Sequence, residues 1–145
     1  MYIHEMLQVN EEVFKSFKKL ISQLSERNPP PNWEALEAMS ASSETFVYIA
    51  RQKNIDGEII GSATLATFQT PTGVHGWIED VIVDRDARRQ GVGKALTQAC
   101  LDKARDLGLR EVNLTSRPSR VAANRLYQAM GFVGRETNVY RYALE

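Results

Sequence analysis

The sequence predicts an α/β (α+β) protein, a mixed sandwich of helices around one sheet. Three observations carry that prediction. Apolar residues recur at three- and four-residue spacing in several separate stretches, runs rich in β-branched and aromatic residues lie between them, and the two kinds of segment interleave without an internal repeat. At 145 residues the chain is long enough to bury one core without disulfide or metal staples, so a single domain over 1–145 is expected.

Tyr2 to Val9 alternates as a first strand. In the stretch Glu11 to Leu24, Val13, Phe14, Phe17, Leu20, Ile21 and Leu24 form the stripe of a helix with one buried face. Asn28 and the run Pro29-Pro30-Pro31 stop that helix, and Asn32 is placed to cap a short second one, Trp33 to Met39. The proline run reads as a rigid connector, with a partner-binding motif as the other reading. Strand signals then take over. Thr45 to Gln52, the turn Asn54-Ile55-Asp56-Gly57, and Glu58 to Gln69 form a hairpin. After Pro71-Thr72-Gly73, Trp77 to Val83 is the next strand, followed by a long helix from Gly91 to Leu107 that Gly108 closes. Glu111 to Thr115 is a short strand and Ser119 to Met130 a helix ended by Gly131. Phe132 to Arg135 and Val139 to Leu144 are expected as the last two strands.

Composition removes whole classes of function. With 43% hydrophobic and 25% charged residues the chain is neither disordered nor low in complexity. Met1-Tyr2-Ile3-His4-Glu5 lacks a basic-then-apolar signal, and no stretch approaches the roughly 18 apolar residues of a membrane span, so a cytoplasmic location with no membrane partner is expected. Cys100 is the one cysteine; with only His4 and His75 beside it, neither a disulfide framework nor a metal cluster is expected, and its apolar neighbours read as packing. The formal net charge is zero. Basic residues concentrate around Arg85 to Lys94 and Arg110 to Arg125, which suits a small anionic ligand better than a nucleic acid.

The first of those basic regions is chemically distinctive. Arg88-Arg89-Gln90-Gly91-Val92-Gly93-Lys94 stands between a strand and a helix. Glycines there allow a tight turn and a close approach, while the first N–H groups and the positive dipole end of the helix attract phosphate oxygens. A dinucleotide loop would need a third glycine where Leu96 stands, and a Walker loop would need a different setting for Lys94. What remains is Arg-x-x-Gly-x-Gly. Further along, Ala123-Asn124-Arg125-Leu126-Tyr127-Gln128-Ala129-Met130-Gly131-Phe132 matches Ala-x-x-Leu-Tyr-x-x-x-Gly-Phe. In this order and separation the two motifs resemble the GNAT acyltransferases, and the resemblance extends over nearly the full chain.

The resemblance implies a single mixed, mostly antiparallel sheet of about six to seven strands flanked by about four helices. It also implies acetyl-CoA as co-substrate, without a metal. The pyrophosphate would rest on the N–H groups from Arg89 to Lys94, with Gln90, Gly91, Val92 and Gly93 between them. Arg88 and Arg89 would add charge-assisted contacts unless solvated. The pantetheine arm would pair along Val81, Ile82 and Val83. Glu79 and Asp80 are costly inside so apolar a strand unless paired or working, and Trp77-Ile78-Glu79-Asp80-Val81-Ile82-Val83 looks like the Glu-Asp strand of glucosamine-phosphate N-acetyltransferases. A salt-bridged core acid is the alternative for either. Strand alternation places Glu79, Val81 and Val83 on one face and Asp80 with Ile82 on the other.

In the implied reaction a primary amine, itself near pKa 10, attacks the thioester directly and a base takes its proton: Glu79 first, Asp80 second. A backbone N–H near Val81 would polarise the carbonyl, and Tyr127 would protonate the departing thiolate. A core aromatic is the lesser reading of Tyr127. One departure stands out: where many members carry Asn, seven positions before the tyrosine, this chain has Arg120. Arg120 would bind a cofactor phosphate or an acceptor acid, or only solvate the helix start, and the Asn role is not carried to Asn124. The acceptor is expected to be a small-molecule or peptide amine. Protein N-terminal or lysine acetylation, a non-catalytic acyl-CoA-binding regulatory module, and acetylation of charged tRNA are the alternatives; the neutral charge disfavours the last. Many family members are dimers, so the resemblance admits a homodimer while the oligomeric state stays open.

Overall fold

Asn10 starts the first helix: its side-chain oxygen accepts from Val13 N at 2.8 Å, and α1 runs Glu11–Leu24 with Glu11 and Glu12 in the first turn. Asn32 does the same for α2, Trp33–Ala41, accepting from Ala35 N at 2.8 Å. In this computed structural model, which describes residues 1–145, the chain divides into two compact units, Met1–Thr115 and Ser116–Glu145.

The first unit is a five-stranded sheet in the order β1-β2-β3-β4-β5. Strands β1 (Tyr2–Glu5), β2 (Thr45–Arg51), β3 (Ile59–Thr70) and β4 (Gly73–Val83) are antiparallel neighbours in chain order. Strand β5 (Val112–Asn113) lies parallel to β4 and pairs only Gly76 with Val112 and Trp77 with Asn113. The third helix, α3 (Val92–Asp106), follows a short 3-10 turn at Arg85–Ala87. Residues Val13, Phe17, Leu20 and Leu36 of α1 and α2 share one buried cluster with Val47, Ile49 and Ile82. Each such side chain contributes about 1.5–3 kcal/mol on leaving water. On the other face α3 comes so near to β3 that a Cβ on Gly61 would meet Leu96 Cδ1 at 3.1 Å and Val92 Cγ1 at 3.2 Å. Gly61 is the contact that lets helix and sheet close up.

Buried Arg51 ties together parts far apart in sequence. Its guanidinium donates to Glu12 Oε1 at 3.0 Å, to Gly57 O at 3.0 Å and to His4 Nε2 at 3.0 Å. Thus β1, α1 and the β2–β3 turn are fixed by one planar donor fork.

The second unit contains α4, Val121–Met130, closed by Gly131 at φ 103°. Here the sheet is smaller than the six to seven strands expected, and no strand forms over 132–145. Val133, Val139, Tyr140, Tyr142 and Leu144 are 74% to 92% exposed. Alternation supplies an apolar face, but a strand also needs a partner ladder, and none is formed along this segment. The first strand ends at Glu5 instead of Val9: Met6 N still donates to Val47 O in the same register, and the chain then runs to the Asn10 cap that starts α1. Strand β4 starts earlier than Trp77, directly from the Thr70–Gly73 turn. No helix is long and apolar enough to cross a membrane.

Candidate active site

Strand β4 delivers the acids. Thr64 pairs with Glu79 and Ser62 with Ile82, so β4 carries one residue more than β3 between those pairs. This is a β-bulge, and Asp80 within it has φ 50°. Asp tolerates the left-handed region better than most side chains, so the sequence can hold the kink. The extra residue corrects the simple alternation: Glu79 and Ile82, opposite Thr64 and Ser62 of one β3 face, lie on the same side of the sheet. Both acids are exposed at the residue level. Burial of the carboxyl pushes the Glu79 pKa up, and the neighbouring Asp80 charge adds to it.

The outer edge of β4 is open just where the bulge lies. Pairing with β5 stops at Trp77, so from Ile78 to Val83 that side of β4 has no strand beside it. The same stretch runs directly into the glycine loop. Asp84, buried at the strand end, accepts from Asp86 N at 3.1 Å and forms an ion pair with Lys19 of α1 at 2.9 Å. The hydrogen bond from Lys19 holds its carboxyl below the usual range against the cost of burial, with the Asp86 N–H and the Lys19 charge adding to it. One turn along α1, Gln23 Oε1 accepts from Arg85 N at 3.0 Å. Lys19 and Gln23 therefore pin the entry of the loop, a role that nothing local in sequence announces.

Past this anchor Arg88, Arg89 and Gln90 are exposed. Arg89 has φ 66° and Gly91 φ 79°. The first helical bond of α3 is Ala95 N to Gly91 O at 3.0 Å, so the N–H groups of Val92, Gly93 and Lys94 precede the ladder. No side chain caps them, and the first turn carries no acid. A Cβ on Gly91 would meet nothing within 4 Å. Glycine is there for its backbone angle, and the space before the amides stays clear. Donors, helix dipole, Lys94 and two arginines all favour an anion such as a pyrophosphate. The residues fit that group.

Within the second unit Tyr127 is buried, 7% exposed, and meets Phe132 edge-on at 5.6 Å between ring centroids. Phe132 N donates to Tyr127 O at 2.9 Å across the Gly131 cap, which fixes both rings to the helix end. Arg120 stands at the N-cap of α4, exposed and without a side-chain cap bond. Asn124 Nδ2 donates to Arg117 O at 2.9 Å, so its amide holds the loop before the helix. The sheet unit thus brings together Glu79, Asp80, Val81, Ile82, Val83 and the Arg88–Lys94 cradle along one strand and loop, while Tyr127 and Arg120 belong to α4.

An edge-open bulged strand thus feeds an uncapped helix N-terminus. The chain belongs to the acetyltransferase (GNAT) family, whose model matches residues 6–132. It is 34% identical over 73 residues to N-alpha-acetyltransferase 30 of Schizosaccharomyces pombe, covering 50% of this chain and 48% of that protein. Against the [ribosomal protein bS18]-alanine N-acetyltransferase of Escherichia coli it is 28% identical over 93 residues, 63% of each. The alignments therefore span about half to just under two thirds of these relatives. Among solved structures, a Trypanosoma brucei acetyltransferase superposes with a TM-score of 0.74 at 28% identity, covering 98% of this chain and all of that one. Its family is one of acetyltransferases.

Proposed function

We propose that this protein transfers an acetyl group from acetyl-CoA to the primary amine of a small molecule or peptide by direct attack. The observation that carries the proposal is the continuity of the open β4 edge, Ile78 to Val83, with the uncapped amides of Val92, Gly93 and Lys94. The amides hold the pyrophosphate, with Arg88 and Arg89 beside it, and the free edge of Val81 to Val83 offers backbone groups to the amide-containing arm. Acetyl-CoA supplies the activated thioester. Glu79 accepts the proton that the attacking nitrogen gives up, directly or through water, and its raised pKa suits a base working nearer to neutrality. The Val81 N–H donates toward the carbonyl oxygen as negative charge grows there. Tyr127 gives its phenolic proton to the sulfur as the C–S bond breaks. Aligning the two reactants is worth roughly 7 to 11 kcal/mol at best.

A protein N-terminus is the second reading, favoured by the similarity to enzymes named for N-alpha- and ribosomal-protein alanine acetylation. In this proposal the two units form one catalytic domain, Arg120 contacts a phosphate of the donor, the setting is the cytoplasm and the working form is a monomer or homodimer. The test is release of free thiol from acetyl-CoA on addition of amines and peptides, with acetyl-CoA binding followed by thermal shift. Absence of any binding or shift would sink the proposal.

A further inference from the structure

Between α1, α2 and the sheet lies a cavity of about 250 Å³, walled by Phe17, Ile21, Leu24, Leu36 and Met39 and floored by Ile82. Pro29 and Pro31 of the rigid helix connector also line it. Its size matches roughly eight waters' share of liquid volume, enough for a side chain and far more than an ion needs. Ser25, Ser62 and Thr64 supply hydroxyls and Asn28 an amide, and Asp80 is the sole ionisable residue lining the space. Asp80 takes part in none of the protein's ion pairs. The bulge holds it there at φ 50°, next to Glu79, which does not line the cavity.

We infer that this cavity selects the acceptor: a primary amine carrying an uncharged, apolar substituent about the size of a leucine, methionine or phenylalanine side chain, its ammonium meeting Asp80. The inference rests on the acetyltransferase reading and divides the two acids between tasks. Asp80 receives the charged amine, and Glu79 takes its proton. Apolar walls favour an apolar group by the area removed from water, and a carboxylate on the ligand would face Asp80. The proline run acquires a purpose as well. A stiff link between α1 and α2 keeps the mouth of an incompletely filled apolar space from collapsing.

The experiment compares acetyl transfer to tetrapeptides differing only in residue one, Leu, Met or Phe against Ser, Glu or Lys. In parallel it compares isoamylamine and phenethylamine with ethanolamine. The expected result is a kcat/KM at least tenfold higher for the apolar members of one set, carried by KM and abolished in Met39→Trp, which fills the cavity and leaves the acetyl-CoA thermal shift intact. Preference confined to the peptides identifies a chain N-terminus as acceptor; preference among the free amines identifies a small molecule. Equal rates across both sets, or a preference that survives in folded Met39→Trp, overturn the inference while the acetyltransferase reading stands. If no amine is turned over, saturation-transfer NMR with isoamylamine decides. Binding lost in Met39→Trp sustains the cavity assignment as the catalytic reading falls, and no binding overturns it. Should Met39→Trp fail to fold, Leu24→Phe takes its place.

Discussion

Gly61 offers the sharpest test of how the fold holds the donor site. An alanine Cβ there would stand 2.8 Å from Ile82 O, 3.1 Å from Leu96 Cδ1 and 3.2 Å from Val92 Cγ1. The first neighbour is backbone. Ile82 pairs with Ser62 and Val83 with Gly61 itself, so that oxygen cannot retreat without stretching the β3–β4 ladder. The alternative is for α3 to move outward, beginning at Val92, the residue whose N–H opens the anion cradle. Overpacking of this kind costs about 1–3 kcal/mol, against which the stiffer unfolded chain returns about 0.4–1 kcal/mol. A net loss of roughly 1–2 kcal/mol corresponds to a Tm lower by about 3–7 °C. Urea melts and acetyl-CoA titration should therefore both respond, with weaker acetyl-CoA binding in Gly61→Ala even where the protein is fully folded. Gly76→Ala is the control: its Cβ meets mainly Leu109 Cδ1, at 2.6 Å, the end of a flexible side chain away from the cradle. If Gly61→Ala melts like the wild type, or loses stability with no change in acetyl-CoA affinity, the claim that this close approach sets the amides is wrong.

For Glu79→Gln a fall of about 10²- to 10⁴-fold in kcat/KM is expected, the usual range for a general base. Because the folded pKa of Glu79 is raised, the wild-type acid limb should lie above the ordinary carboxylate range, with activity rising as pH rises through it. A pH profile that keeps this limb in the Gln variant would assign it to another group. Tyr127→Phe keeps the edge contact with Phe132 and should stay folded while turnover drops, again by about 10²-fold or more; full turnover with chemistry limiting would remove Tyr127 as the acid. Asp84 has its pKa lowered by Lys19, so its contribution to stability is present above the unfolded carboxylate pKa and is lost as pH falls through the folded one. Denaturant midpoints of wild type and Asp84→Asn should accordingly differ at pH 7 and converge in acid. A gap that persists unchanged at low pH would contradict that linkage.

The parts of this molecule that could be read from sequence are those written in local spacing. The Asn32 cap, the stripe of α1, the burial of Cys100, and the strand–loop–helix run through Gly91 all follow from residues within a turn or two of one another. The bulge at Asp80 is different in kind. Period-two alternation assigns faces only if the ladder is unbroken, and whether β4 carries one residue more than β3 depends on a strand joined to it by register. Lys19–Asp84, Gln23–Arg85 and the Arg51 fork likewise join positions that no pattern links. The segment 132–145 marks the opposite failure, in which an adequate local alternation lacked the partner that would make it a strand.

Cys100 is fully buried, and burial pushes its thiol pKa up to about 12. Thiolate is the reactive form, so the native protein should be silent toward thiol-specific chromogens at neutral pH. This makes the protein its own blank in an assay that counts each CoA released, and any signal that grows with neither acetyl-CoA nor acceptor present becomes a report of unfolding. The sole sulfhydryl, on the buried face of α3, is in effect a built-in gauge of how much of the protein in the cuvette is still folded.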